Sequence, residues 1–494
     1  MVWTAEDRRA HLLRKLGFGA TFVETERLKS LDEAKLLAGL TTRLPDADIH
    51  PFRFAYKTGG EDAEPGSYRF RIWWAAQMLL NPNPLQERLS VFWHDHFAVS
   101  DAKVEDGLMM LDYMRAIRAN PFGKFKDILR VVVTQPAFLK YLDIRIVGRK
   151  TPNENFAREL LELYTLGIGN YSEQDIREVA RAFTGWGYLN TYYEMEATAN
   201  DKLRYMETHE QPFGVFAVFP TQMDTGEKQM LGWKGPLDGG AVLDRLAADP
   251  RTARHICGKL WEFFVYEAPE DSVLERAAGV WKKTDGDIGA VLRAFVEFPE
   301  FWTERAAKGT VKNPVDFAVG LCRAMAVDAK LSAVVKMGEP YDKPMEQEAF
   351  DQIGALVYYI GLMGMNLCYP DDVDGWKWHA AWANENTMVR RMQFRGIWTW
   401  KKVQDAPEEK YMPDTPTQAM IAYMAPMADK PSAEQVDHFL KFFDGRMSEG
   451  GKAALAKYFE TANLKGGFAK EEWAGWILTE GIRLMVAAPE FHTQ

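Results

Sequence analysis

Thr151-Pro152-Asn153-Glu154-Asn155-Phe156-Ala157-Arg158-Glu159-Leu160-Leu161-Glu162-Leu163-Tyr164-Thr165-Leu166-Gly167 is punctuated as a helix from end to end. Thr151 offers a hydroxyl to the first free backbone N–H groups, and Pro152 a fixed φ suited to the first helical position. Glu154 adds a negative charge at the third position, where the helix dipole is positive. Gly167 reads as the stop, because glycine enters the left-handed conformation of a helix C-terminus at little cost. Between them Phe156, Leu160, Leu163 and Tyr164 recur at three and four and share an apolar face. Asn155, Arg158, Glu159 and Glu162 fall on the other face.

The same grammar runs outward in both directions. Thr4 with Asp7 forms a capping pair that Gly17 closes, and Thr21 with Glu24 opens the next helix. Ser172 pairs with Asp175, with Tyr171 and Ile176 placed as a hydrophobic staple; Asn313-Pro314-Val315-Asp316 and Ser432-Ala433-Glu434-Gln435 repeat the signal. The chain is therefore predicted to be mainly α, with a large multi-helix, bundle-like body. Residues 188–233 depart from this with aromatic and β-branched residues between Gly and Pro, and Phe216-Ala217-Val218-Phe219 reads as a strand, giving a short β-hairpin excursion. With no internal repeat or low-complexity linker, one large domain is expected over 1–494. It comprises a helical half (1–187), a β-containing insertion (188–236) and a second helical half (237–494). Residues 364–382 are irregular, and 57–66 and 404–416 read as exposed loops.

A net charge of −10 without a long Lys/Arg run argues against duplex nucleic acid as a partner. Cys257, Cys322 and Cys368 lie far apart, which argues against a disulfide framework or zinc knuckle and for small buried apolar roles. No stretch has the roughly 18 apolar residues of a membrane span, and the start lacks a signal-peptide pattern. The expectation is a soluble, cytoplasmic protein, or an exported one if a leader was removed or it travels with a partner.

Chemistry is sought first at Phe92-Trp93-His94-Asp95-His96-Phe97. On a helix, Leu85, Leu89, Phe92 and His96 share one stripe, while His94 lies with Glu87 and Val91 on the opposite, acidic side. Two histidines two positions apart on one helix cannot chelate one ion. His96 then reads as a core histidine bonded to backbone. His94 is open to a cap or carboxylate pair on one side, or to a ligand or acid–base role on the other. Glu159 and Glu162 could supply carboxylates to it, and Arg158 or Arg181 could hold an anionic group; an Arg–Glu surface network explains the same residues. No histidine has a Glu three positions before it, so a di-iron motif is absent. Arg88, six positions before His94, is misplaced for a haem-peroxidase distal helix. Asp372-Val373-Asp374-Gly375 fails as a calcium loop at Pro370 and Ala381. It reads as a tight turn that positions Trp376, Trp378 and Trp382, which either pack or form a platform for a sugar. Walker, G-x-S-x-G and H-E-x-x-H motifs do not occur, and no cofactor or metal is assigned.

Several ordered blocks together resemble the bacterial domain-of-unknown-function 1800 family. They are His11-Leu12-Leu13-Arg14 with Gly17-Phe18-Gly19-Ala20-Thr21, Gln86-Glu87-Arg88-Leu89 with Phe92 to Phe97, Asn120 to Phe125, and Asn153 to Leu163 with Thr165-Leu166-Gly167. Ala180 to Trp186, Ala253-Arg254-His255 with Lys259-Leu260-Trp261, Lys312-Asn313-Pro314, Pro370 to Trp376 and Pro489-Glu490-Phe491 complete them. The resemblance implies a large helical bacterial protein, often exported and often encoded beside a sulfatase-like companion family, and it implies no reaction. Two positions depart from the family pattern. Met223 stands where a histidine usually precedes Asp224 ahead of Gly226 and Lys228, and the proline-rich entry near Val373 reads Tyr369-Pro370-Asp371-Asp372.

Two functions remain. The first is a helical binding or assembly scaffold acting with a partner protein (the sulfatase-like companion by resemblance) or a surface polysaccharide through its Trp-rich loops. The second is a metal- or acid/base-dependent enzyme using His94 with carboxylates from the 152–166 helix.

Overall fold

The computed structural model describes residues 3–44, 67–145, 147–190, 214–325, 347–394, 400–402, 411–413 and 415–494. The expected loop at 57–66 lies outside them. Helices occupy most of the described chain, joined by three two-stranded antiparallel sheets, so the protein is mainly α with short hairpins.

Local sequence sets most helix ends. Thr4–Asp7 and Ser172–Asp175 form reciprocal capping boxes, and Thr21 and Asn313 each accept from the N–H three residues on. Two starts differ from the reading. The helix after Pro152 spans Glu154–Glu162 and is capped by Asn153, whose side-chain oxygen accepts from Phe156 N–H at 2.9 Å. Thr151 instead closes a turn onto Gly148 O. Ser432 is the first helical residue behind Pro431, and its hydroxyl turns to Glu460.

Strand β1 (Trp186–Asn190) pairs with β2 (Gly214–Val218), Trp186 facing Val218. β3 (Lys228–Met230) and β4 (Trp233–Gly235) form a hairpin across Leu231-Gly232. Both turn residues have positive φ, 52° and 81°, as a type I′ turn requires. The excursion thus begins two residues before the expected boundary. β5 (Trp400–Lys402) pairs with β6 (Tyr411–Pro413), and Thr415 begins a helix, so the end of the presumed loop at 404–416 is ordered structure. A three-residue strand holds too few alternations to be read in advance.

The Pro84–His96 helix lies at the centre, with all thirteen residues buried. It packs against the Ala5–Leu16, Glu33–Leu40, Ser67–Leu80 and Gly107–Ala119 helices. The side assigned to His94, Glu87 and Val91 as acidic and distinct from the core is core as well. Its charges are matched internally. Arg118 grips Glu87 at 2.6 and 2.9 Å while Asn81 donates to the same carboxylate at 2.8 Å. Arg88 is bidentate to Asp316, both contacts at 2.9 Å, and also donates to Lys15 O, which leaves it no free face. Burying charge is tolerable only when paired in this way. The three cysteines are buried and none is in a disulfide.

Candidate functional site

His94 and Asp95, at the C-terminal end of the central helix, hold residues 368–378 against the core from more than 270 positions away in sequence. Cys368 N–H donates to His94 Nε2 at 3.2 Å, so the His94 proton sits on Nδ1, 3.4 Å from the Tyr113 hydroxyl. Tyr113 in turn donates to Phe97 O at 2.7 Å. Trp74, Tyr113 and Trp376 stand edge-on around the imidazole. Burial holds His94 neutral, its pKa lowered to about 3. Both ring nitrogens therefore have protein partners.

Asp95 accepts at both oxygens, from Trp376 N–H and from Trp378 Nε1–H, each at 2.7 Å. Gly375 permits this approach. Its φ is +85°, and a Cβ built there would lie 2.3 Å from Asp95 Oδ1 and 2.6 Å from Asp95 O. Gly375→Ala is expected to cost about 1–3 kcal/mol from backbone strain alone, read as a lower urea midpoint with unchanged slope. A midpoint equal to the parent's would show that the segment is not seated on Asp95.

Beside this contact, four distant parts of the chain meet at a polar junction. The Pro250–Phe264 helix presents His255, Lys259 and Glu262 at i, i+4 and i+7, a single stripe. His255 Nε2 donates to Leu163 O at 3.2 Å and His96 Nε2 donates to Tyr164 O at 3.3 Å, tying the stripe and the central helix to the end of Glu154–Glu162. Phe263 stands edge-on to both Phe92 and Trp378. Tyr141 closes the group. Its hydroxyl is pushed up by burial, then by Asp372, Glu159 and Asp374.

Several of these groups lack partners among the described residues. Lys259 and Glu159 are half-buried and make no side-chain hydrogen bond or ion pair there. The Tyr164 hydroxyl and His96 Nδ1 are buried with nothing bonded to them. Orphaned buried polar atoms are unusual in a folded protein and call for an explanation. The proton affinities diverge. Burial lowers Lys259 against the pull of Asp95, Asp374 and Glu262. Burial raises Glu159, helped by Glu162 and Asp374. Asp95 is pushed up to about 7 by burial, which outweighs Lys259 and the two Trp donors. His255 is lowered to about 4 by burial and then Lys259, and His96 lies well below its usual range for the same reasons. Divergent affinities in a partly open group are a mark of functional sites.

The residues singled out from sequence distribute unevenly. Glu159 lies at the junction. Glu162 accepts the Tyr171 hydroxyl, and Arg158 is bidentate to Glu173 at 2.9 Å on the surface. Arg181 pairs with Asp224 and Glu178. Trp376 and Trp382 are buried, whereas Trp378 is half-exposed at the junction. Met223 packs against Gly185, and its loop is held by Asp224 on Arg181 and by Thr184. Among the described residues no group of three or more His, Cys, Asp or Glu side chains is arranged to hold a metal ion. Sequence reasoning missed Lys259, His255, Tyr141 and Tyr164. The i, i+4, i+7 spacing of His255, Lys259 and Glu262 was a usable signal.

Residues 11–493 match the family described as Protein of unknown function (DUF1800), and the chain belongs to it. No curated protein and no solved structure matches the chain.

Proposed function

We propose that this DUF1800 member is a helical binding scaffold whose ligand is a small polyhydroxylated molecule, or the end of a polyhydroxylated polymer, seated at the Lys259–Glu159 junction. The observation that carries this reading is Lys259, a half-buried ammonium without a hydrogen bond or ion pair among the described residues. The surrounding chemistry selects the ligand class. An anion would meet Asp374 and Glu262, whose charges act on Lys259, and Glu162 and Asp374, whose charges act on Glu159. A simple cation would meet Lys259. A hydroxyl both donates and accepts, and so suits a half-buried donor, Lys259, and a half-buried acceptor, Glu159. Trp378 adds an aromatic wall against which a sugar face can pack.

Calorimetric titration of the full chain with neutral mono- and oligosaccharides and polyols tests the reading. A binder is expected, weakened about ten-fold or more by Lys259→Met and by Glu159→Gln, since each removes a charged hydrogen bond. Both variants are expected to keep the parent's stability. Absence of binding across the panel, or binding indifferent to both changes, overturns it, and a stoichiometric protein partner in place of a ligand would redirect the scaffold reading to protein assembly. A second reading, acid–base catalysis, is favoured by one observation: a carboxyl raised to about 7 beside a lysine whose affinity is lowered. It requires turnover of the bound ligand that Asp95→Asn abolishes.

A further inference from the structure

We infer that residues 370–378 are a strap that closes over the Lys259–Glu159 junction when Asp95 carries a proton and swings off when Asp95 ionises. The inference rests on the ligand reading for what the strap covers, but not for its movement.

The strap is anchored in two places of different character. At its entry Cys368 N–H bonds His94, and the Tyr369 hydroxyl donates to Asp101 at 2.9 Å and meets Ser67 at 3.3 Å, with Arg71 over its ring. Apart from the Tyr369–Asp101 bond these contacts involve no carboxylate, and none rests on Asp95. The middle is held by Asp95 through Trp376 N–H and Trp378 Nε1–H, with Gly375 lying directly on its carboxylate, and by the uncharged ring contacts of Trp376 with His94 and of Trp378 with Phe263. The strap covers this carboxylate, which is 1% exposed.

The groups facing Asp95 are few. Lys259 reaches it from the Pro250–Phe264 helix without contact, and Tyr113 from the Gly107–Ala119 helix. Asp374 and Lys377 face it from the strap, where they are paired to each other at 2.6 Å. His94 and His96, on its own helix, are both neutral. Among the described residues no cation forms an ion pair with Asp95; Lys259 acts on it at longer range.

Two effects oppose each other when Asp95 ionises. Its hydrogen bonds from the two tryptophans strengthen, which holds the strap down. Its burial becomes costly, and Asp374 repels it, which drives the strap away. Burial is the larger effect. Released into water, the carboxylate would return to the ordinary carboxylate range. The closed form therefore holds a proton that the open form gives up. By linkage the open-to-closed ratio rises with pH between about 4 and 7 and levels off above, about a hundred-fold between pH 5 and pH 7.5. A count of hydrogen bonds alone gives the opposite sign, so the direction of the response discriminates.

Hydrogen exchange of the ligand-free full chain reads this directly at the amides of residues 369–382, that of Trp376 above all. After correction for intrinsic exchange, strap protection is expected to fall at least ten-fold from pH 5 to pH 7.5. The Gly107–Ala119 amides are expected to stay protected. In Asp95→Asn, which cannot ionise, the strap is expected to remain protected at both pH values. A flat response in the parent, a response of opposite sign, a simultaneous loss throughout the core, or the same pH response in the variant overturns the inference. If the variant does not fold, the parent's response decides alone. Because no ligand is added, failure here is distinct from failure of the binding reading.

Discussion

Arg118→Met is expected to lower stability by about 3–5 kcal/mol, the cost of leaving one member of a buried ion pair uncompensated. Glu87 is fully buried, and among the described residues the Asn81 amide is the other donor to its carboxylate beside Arg118. The Arg118 guanidinium also lies 5.0 Å over the Trp73 ring, a contact that methionine partly replaces. The loss is therefore chiefly electrostatic. Adding Glu87→Leu removes the stranded charge, and the double variant is expected to recover most of the deficit, leaving a strongly favourable coupling in the double-mutant cycle. Urea titration of the four proteins at pH 7.5 measures it. A single variant within about 1 kcal/mol of the parent would mean that the pair is solvated rather than buried.

The same pair shows what could be read in the sequence and what could not. Caps and stops are local, so Thr4, Ser172, Asn313 and Gly17 announced helices whose ends depend only on neighbouring residues. Helical phase was equally sound: His94 and Glu87 do lie away from the Leu85–Leu89–Phe92 stripe. Phase reports which residues share a side, not what that side meets. For a helix surrounded on all sides, the charged partners of Glu87 and Arg88 and the two tryptophan donors to Asp95 come from positions 118, 316, 376 and 378. Nothing local in their sequence specifies them. The tryptophans of 364–382 illustrate the same limit. Their spacing suggested one platform, but the positive φ of Gly375 turns the chain so that Trp376 faces His94 and only Trp378 reaches the junction. Four of the blocks that carried the family resemblance, at 92–97, 153–163, 253–261 and 370–376, meet around Asp95 and Lys259. Their order along the chain gave no hint of this convergence.

Asp95→Asn is expected to stabilise the protein by about 2–4 kcal/mol at pH 8.5 and to change it by less than about 1 kcal/mol at pH 4. The sign follows from where the proton resides. In the unfolded chain Asp95 titrates at its ordinary 3.8, and in the fold at about 7. Folding therefore takes up a proton between these values. The stability associated with protonated Asp95 is fully present below pH 3.8, declines as pH rises, and is lost by the time pH passes 7. A difference of about three pH units corresponds to about 4 kcal/mol. Asparagine resembles the protonated acid, with one accepting oxygen for Trp376 N–H and a hydrogen-bearing group near Trp378 Nε1. It avoids the ionisation cost but gives up part of one hydrogen bond, about 1 kcal/mol, which sets the lower end of the range. Urea titrations of parent and variant at the two pH values measure the difference. Destabilisation by Asp95→Asn at pH 8.5 would mean that the two tryptophan donors outweigh burial. The carboxylate would then be a fixed structural anion, and the fold would gain rather than lose by its ionisation.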